Sequence, residues 1–261
     1  MKNQTEITIA GRKIGTGQPP FIIAEMSGNH NQSLERALEI VEVAAKTGAH
    51  ALKIQTYTPD TMTLDLDERE FHISDPNSLW YGNSLYKLYS EAYTPWEWHK
   101  PIFERARELG IITFSTPFDD TAVDFLESME VPVFKVASFE NVDLPLLRRI
   151  ARTGKPIIMS TGMATLAEIA EAVQTIRDAG GAQLAILKCT SSYPAPPEEM
   201  NLRTIPHMME AFGVPVGLSD HTLGTAVPIA AVALGATLVE KHFTLSRDTP
   251  GLDNPFSLEP H

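Results

Sequence analysis

Read for polarity alone, the chain alternates between two periods. Apolar runs of strand length are FIIAEM from Phe21, ALKIQ from Ala51, IITFST from Ile111, VFKVAS from Val133, PIIMST from Pro156, LAILKCT from Leu184, VPVGLSD from Val214 and LVEKHFT from Leu238. The segments between them place apolar residues at helical spacing. Several helix starts are legible: Ser33 before LERALEIVEVAAK, Thr94-Pro95 with Glu97 as a capping box, Asp143 before LPLLRRIA, and Thr165 with Glu168. Gly48, Gly110, Gly154, Gly180 and Gly235 punctuate the helix ends. Ahead of the first run, residues 1–16 predict a short glycine-turned β-hairpin, with its strands between Glu6 and Ile14. Eight β/α repeats in 261 residues, 43% of them apolar, predict one α/β domain. They favour a closed TIM (β/α)8 barrel over an open doubly wound sheet.

Barrel chemistry sits where strands end and βα loops begin, so polar residues at the C-terminal strand ends carry the functional reading. Every strand has some: Glu25; Lys53 with Gln55; Ser115 and Thr116; Lys135 with Ser138 and Glu140; Ser160 and Thr161; Lys188 with Thr190 and Ser191; Ser219, Asp220 and His221; Glu240, Lys241 and His242. An unpaired lysine is costly to bury, so Lys53, Lys135 and Lys188 at equivalent positions predict a shared anionic ligand. The turn from Ser160 to Thr165 leads into a helix, whose hydroxyls and free amides predict a phosphate position at that N-terminus. His221 and His242 end neighbouring strands. They read either as ordinary hydrogen-bonded histidines or as a metal pair, which with oxygen ligands suits manganese, zinc, iron or cobalt better than calcium. His30, His50, His99 and His207 are weaker candidates. The connection from Tyr57 to Tyr93 is far longer than usual for a βα loop and holds five of the six tyrosines plus Trp80. It reads either as a surface excursion with its own aromatic mini-core or as a lid over the barrel mouth.

Acidic residues outnumber basic ones by 33 to 21, giving a formal net charge of −12, and no basic run offers a nucleic-acid footprint. Local lysines in one cleft could still bind a small anion. No stretch approaches the roughly 20 apolar residues of a membrane helix, and the N-terminus has no signal-peptide core, which predicts a cytoplasmic protein without a membrane partner. The single cysteine, Cys189, excludes an internal disulfide and a cysteine-based zinc site, and a buried inert thiol is the expectation for it.

The segments IAEMSGNHNQ, LKIQTY, FSTPFD, FKVASFE, PIIMSTGM, LKCTSSYPAP, VGLSDHT, VEKHFT and PGLDNPFSLEP resemble, in this order, the sialic acid synthase (N-acetylneuraminate synthase-like) family. LYKLYSEAYTPWEWHK and the ending FSLEP resemble most its pseudaminic acid branch. The resemblance implies a metal-dependent barrel that condenses phosphoenolpyruvate with an amino-sugar aldehyde and water to give a nonulosonic acid and phosphate. The sugar it implies is 2,4-diacetamido-2,4,6-trideoxy-altrose, with N-acetylneuraminate or legionaminate synthesis as alternatives. By matched position, Lys53, Thr116, Lys135, Ser138, Ser160, Ser191 and Ser219 are expected at phosphoenolpyruvate; Ser191 departs from an Asn found in sialic acid synthases. His221 and His242 are expected to ligate a divalent metal, Mn2+ first, with Mg2+ or Co2+ as alternatives. Glu25 is expected to handle the attacking water, and Gln55, Glu140, Tyr193 and Asp253 to contact the sugar. The resemblance also implies a homodimer. Family members continue into a small antifreeze-like domain, whereas this chain stops at His261, before that domain and most of an eighth helix. Weak or absent turnover is therefore an expectation, as are first and seventh helices left partly uncovered. Two rival readings are a Schiff-base aldolase using Lys53, Lys135 or Lys188, and a non-catalytic barrel that binds a sugar or phosphoenolpyruvate.

Overall fold

A computed structural model describes residues 6–261; of the expected hairpin, residues 1–5 lie outside the described residues. Strands β1 (Glu6–Ile9) and β2 (Arg12–Gly15) pair antiparallel across Ala10 and Gly11. Both turn residues have positive φ, 47° and 80°, as a two-residue hairpin turn requires. The eight expected strands follow as β3 (Phe21–Glu25), β4 (Ala51–Thr56), β5 (Ile112–Pro117), β6 (Phe134–Val136), β7 (Ile157–Ser160), β8 (Leu184–Cys189), β9 (Val216–Asp220) and β10 (Leu238–His242). All are parallel, and β10 pairs with β3, so the sheet closes on itself.

Outside the barrel run α1 (Leu34–Lys46), α4 (Trp96–Glu108), α5 (Asp120–Ser128), α6 (Leu144–Ala151), α7 (Leu166–Asp178), α8 (Thr204–Phe212) and α9 (Ala226–Ala233). The long β4–α4 connection carries α2 (Pro59–Met62) and α3 (Leu85–Ala92). Ser33, Asp143 and Thr165 cap their helices as expected, Thr165 with Glu168 in a full capping box. The box expected at Thr94 is absent. Helix α4 starts after Pro95 with no side-chain cap, because the Thr94 hydroxyl is engaged with His30 Nε2 at 3.3 Å.

Alternation along the strands divides the core in two. Inward residues, among them Phe21, Ile23, Ala51, Phe114, Val133, Ile158 and Leu187, pack on Ile7, Ile9 and Ile14 of the hairpin, which plugs the N-terminal end of the barrel. Outward residues such as Leu52, Ile54, Ile157, Ile186 and Leu218 pack against the helices. The same alternation sorts the lysines. Lys53 shares a face with Ala51, and Lys135 with Val133, so both point into the barrel. Lys188 lies on the opposite face from Ala185 and Leu187, and its Nζ donates to Thr190 Oγ1 at 2.7 Å and the Cys189 carbonyl at 2.9 Å. The expectation that three lysines share one anion is thus corrected to two. Lys241 is also outward and pairs with the buried Asp220 at 2.6 Å.

After β10 no α-helix follows among the described residues. The tail instead folds back beside β10, where Leu258 N donates to the His242 carbonyl at 2.7 Å, and a turn at Asn254–Phe256 buries Asp253, Asn254 and Phe256 at the mouth. The seventh barrel helix, α9, carries no charged residue and leaves Ile229 and Leu234 exposed, while α1 keeps Leu34 and Leu38 partly buried.

Candidate active site

The floor of the mouth is ionic. Lys53 Nζ lies 2.7 Å from Glu25 Oε2, 3.8 Å from Glu240 Oε1 and 3.1 Å from Thr116 Oγ1. Lys135 Nζ donates to Ser160 Oγ at 2.8 Å and lies 3.5 Å from Glu240 Oε1. These side chains are almost fully buried, so each charge leans on its partners. Burial raises the Glu25 carboxyl despite the pull of Lys53, and burial lowers Lys135 despite Glu240. For Glu240 the upward push of burial is overcome by Lys135 and Lys53, so it is the carboxylate that stays ionised. Two lysines and two glutamates leave the floor close to neutral. An anion with more than one negative group would replace the carboxylates as partner of the lysines.

Beside the floor, two serines close on one glycine. The Gly162 amide donates to Ser138 Oγ at 3.1 Å, and a Cβ placed on Gly162 would lie 2.7 Å from that oxygen and closer still to Ser191 Oγ. Ser138 and Ser191 therefore converge on the Gly162 backbone, and Ser160, two residues before it, holds Lys135, a cradle suited to phosphate oxygens. The helix N-terminus expected to take phosphate does not serve. Glu168 Oε2 accepts from Thr165 N at 2.7 Å, and this carboxylate stands where an anion would bind α7.

Above the floor, His221 and His242 face each other with ring centroids 5.5 Å apart. Thr190 O is 2.9 Å from His221 Nδ1, which therefore carries a proton, so that Nε2 is the nitrogen left for a ligand when the ring is neutral. Burial lowers His221, but Cys189 and the Thr190 carbonyl outweigh it and raise its pKa. Burial, followed by the charge of His221, holds His242 neutral, and its buried Nδ1 has no hydrogen-bond partner. Among the described residues no group of three or more His, Cys, Asp or Glu side chains is set to hold a metal ion. The two imidazoles, one with an orphaned nitrogen, suit an ion that takes its remaining ligands from water and substrate. Cys189 is buried as expected but not isolated: its Sγ is 4.0 Å from His221 Nδ1 and 3.8 Å from Ser191 Oγ.

The other candidates ring this centre. Gln55 Nε2 donates to Glu25 Oε1 and to Ser27 Oγ, both at 3.0 Å. Asp253 Oδ2 accepts from Gly28 N at 3.1 Å, and burial raises its carboxyl. Ser219 Oγ is 3.5 Å from Glu240 Oε1. The Tyr193 ring lies tilted over His221, with centroids 4.2 Å apart. Glu140 sits at the rim with Oε2 buried and unpaired, and burial pushes it up to about 7. The long loop lies over the mouth: Trp80 Nε1 donates to Leu252 O at 3.0 Å, and its ring lies 5.8 Å from Tyr193. That supports the lid reading of this segment. Among the described contributors, Glu240 and Trp80 were noted at a strand end and in the long loop without a site role, and Ser27 and Phe256 were not singled out. Glu240 was findable, since it shares the inward face with His242 while Lys241 between them points out.

Comparison with known proteins agrees with this architecture. The "NeuB family" pattern matches residues 40–261. A pseudaminic acid synthase of Helicobacter pylori is 46% identical over 242 residues, covering 93% of this chain and 71% of that protein. One from Campylobacter jejuni is 47% identical over 244 residues, covering 94% and 71%. The crystal structure of an N-acetylneuraminic acid synthetase from Leptospira borgpetersenii in complex with citrate superimposes with a TM-score of 0.88 at 32% identity, covering 99% of this chain and 85% of that one. On sequence and fold together, this barrel, with its two inward lysines and its histidine pair, belongs to the NeuB family.

Proposed function

We propose that the chain condenses phosphoenolpyruvate with an N-acetylated amino-sugar aldehyde and water to give a nonulosonic acid and phosphate. The sugar we assign is 2,4-diacetamido-2,4,6-trideoxy-altrose and the product pseudaminic acid. One observation carries the reading: Lys53 and Lys135 converge with the Ser138, Ser160, Ser191 and Gly162 cradle, directly beneath two facing imidazoles. A ligand with both a carboxylate and a phosphate matches the first group, and an aldehyde matches the second. Identities of 46% and 47% to pseudaminic acid synthases, against 32% to the sialic acid enzyme, support the choice of sugar.

In this mechanism Lys53, Thr116 and Lys135 hold the anionic groups of phosphoenolpyruvate, with Ser219 alongside, and the serine cradle takes the phosphate oxygens. The C3 carbon then attacks the aldehyde carbon of the ring-opened sugar. The aldehyde oxygen gains a proton, and the electron pair leaves an oxocarbenium-like centre at C2. Water adds at C2 and loses a proton. Glu25, whose pKa burial raises, can hold the first proton and accept the second. The resulting hemiketal phosphate collapses to the ketone as its C2–O bond breaks and phosphate leaves. Gln55 orients Glu25, while Tyr193, Asp253 and Glu140 line the sugar side. His221 and His242 would hold a divalent ion, Mn2+ by our assignment, which when bound supplies Lewis-acid polarisation of the aldehyde.

The test is phosphate release from phosphoenolpyruvate by this chain with Mn2+, comparing the deoxy-diacetamido sugar with N-acetylmannosamine, each with and without chelator. Release with the deoxy sugar alone, abolished by chelator and restored by Mn2+, is expected. Calorimetric binding of phosphoenolpyruvate without any release would leave a binding barrel in place of an enzyme. The lowered pKa of Lys135 is the one feature that favours a Schiff-base aldolase. Borohydride trapping of pyruvate on Lys135 would establish that reading, and no trapping is expected.

A further inference from the structure

The floor of this site is charged, but its roof is aromatic. Three rings from three separate βα segments meet there. Phe256, from the tail after β10, lies 4.9 Å from His242 and 5.3 Å from Tyr193. Tyr193, after β8, lies 4.2 Å from His221 and 6.1 Å from His242. Trp80, from the long loop after β4, completes the set at 5.8 Å from Tyr193 and 6.4 Å from Phe256. Its two neighbours turn the other way, Leu79 being 47% and Tyr81 59% exposed, so the indole alone is turned inward at the tip of this loop. Its single polar atom is already used, because Nε1 donates to the Leu252 carbonyl. Trp80 therefore backs the Tyr193–Phe256 pair with ring surface and brings no free hydrogen-bonding group to it.

This has a chemical consequence for any sugar bound over the histidines. A hydroxyl pressed against Trp80 would lose water and find no partner in the indole. A methyl at the same place would gain from burial and ring contact. We propose that Trp80 is a specificity-determining residue. With Tyr193 and Phe256 it forms an aromatic roof over His221 and His242 that selects amino sugars with a methyl in place of a terminal hydroxymethyl group. This inference rests on the condensation reading above and extends it to a residue and a substrate feature.

The test uses the full chain as wild type, Trp80→Ala, Trp80→Phe and, as a control on the same loop, Tyr81→Ala. Phosphate release is measured with the 6-deoxy diacetamido sugar and with its 6-hydroxy counterpart. Trp80→Ala should raise KM for the deoxy sugar on the order of tenfold, leave KM for phosphoenolpyruvate within about twofold, and cut the deoxy-over-hydroxy preference in kcat/KM on the order of tenfold. Trp80→Phe should fall between, and Tyr81→Ala should match wild type. An unchanged preference, or equal losses for both substrates, would overturn the proposal. Indole fluorescence separates its failure from failure of the condensation reading. If wild type releases no phosphate with either sugar, the condensation reading falls. The roof then still stands if the deoxy sugar shifts the emission of wild type and Tyr81→Ala but not of Trp80→Phe, and it falls if no shift occurs.

Discussion

His30 and His99 are buried at the level of single atoms but lie outside the chemistry. His99 Nε2 is 2.7 Å from Thr56 Oγ1, His30 Nδ1 accepts from Gln32 N at 3.2 Å, and burial holds both near pKa 4. An unfolded histidine titrates near 6.5, so between about pH 6.5 and 4 the unfolded chain takes up protons that these residues refuse, and stability falls as pH falls. Glu140 acts in the opposite sense. Its folded pKa of about 7 is above the unfolded value of 4.5, so its contribution is full below the unfolded value and is lost as pH rises to about 7. His99→Gln removes one of these acid-labile contributions. The loss of unfolding free energy from pH 7 to pH 5, measured by urea denaturation, should shrink by about 2 kcal/mol in this variant. A pH dependence equal to wild type would show that His99 is solvated or already protonated. None of this was legible from the chain, where His99 is one of several histidines in helical settings. Its burial comes from α4 packing on β4 and β5, a long-range fact.

The strands and most helix boundaries could be read in advance because each is local. Apolar runs of five or six residues, an Asx or Ser/Thr cap and a terminal glycine are enough, as Ser33, Asp143 and Thr165 illustrate. Thr94 misled because a hydroxyl can cap a helix or serve another neighbour, and His30 claimed it. Lys188 misled for a different reason: a polar residue near a strand end says nothing about which face it occupies, and only counting from the inward Ala185 and Leu187 shows that it points out. The phosphate cradle was half legible. The serines were nameable, but their convergence depends on the β7–α7 connection, where Gly162 lets Ser138 and Ser191 approach its backbone. Gly162→Ala should weaken phosphoenolpyruvate binding on the order of tenfold or more by calorimetry while thermal unfolding remains cooperative, because the added methyl displaces both hydroxyls. Wild-type affinity in that variant would remove the cradle from the binding site.

At the scale of the whole molecule, the hairpin matters as much as the barrel. Ile7, Ile9 and Ile14 seal the N-terminal end against Phe21, Phe114 and Leu187, and Thr8 N is tied to Gln183 Oε1 at 2.7 Å. Among the described residues the barrel is therefore a cup with one opening, and a cup imposes an order of traffic. Whatever rests on Lys53 and Lys135 has to enter before a second ligand settles between it and the aromatic roof, and it cannot leave from beneath that ligand. In steady-state kinetics, an unreactive sugar analogue should then inhibit uncompetitively against phosphoenolpyruvate, whereas an unreactive phosphoenolpyruvate analogue should be competitive with phosphoenolpyruvate and noncompetitive with the sugar. Random-order patterns would mean that the roof opens widely enough for the deeper guest to pass the shallower one. The plug at one end of the barrel thus makes a queue of the other.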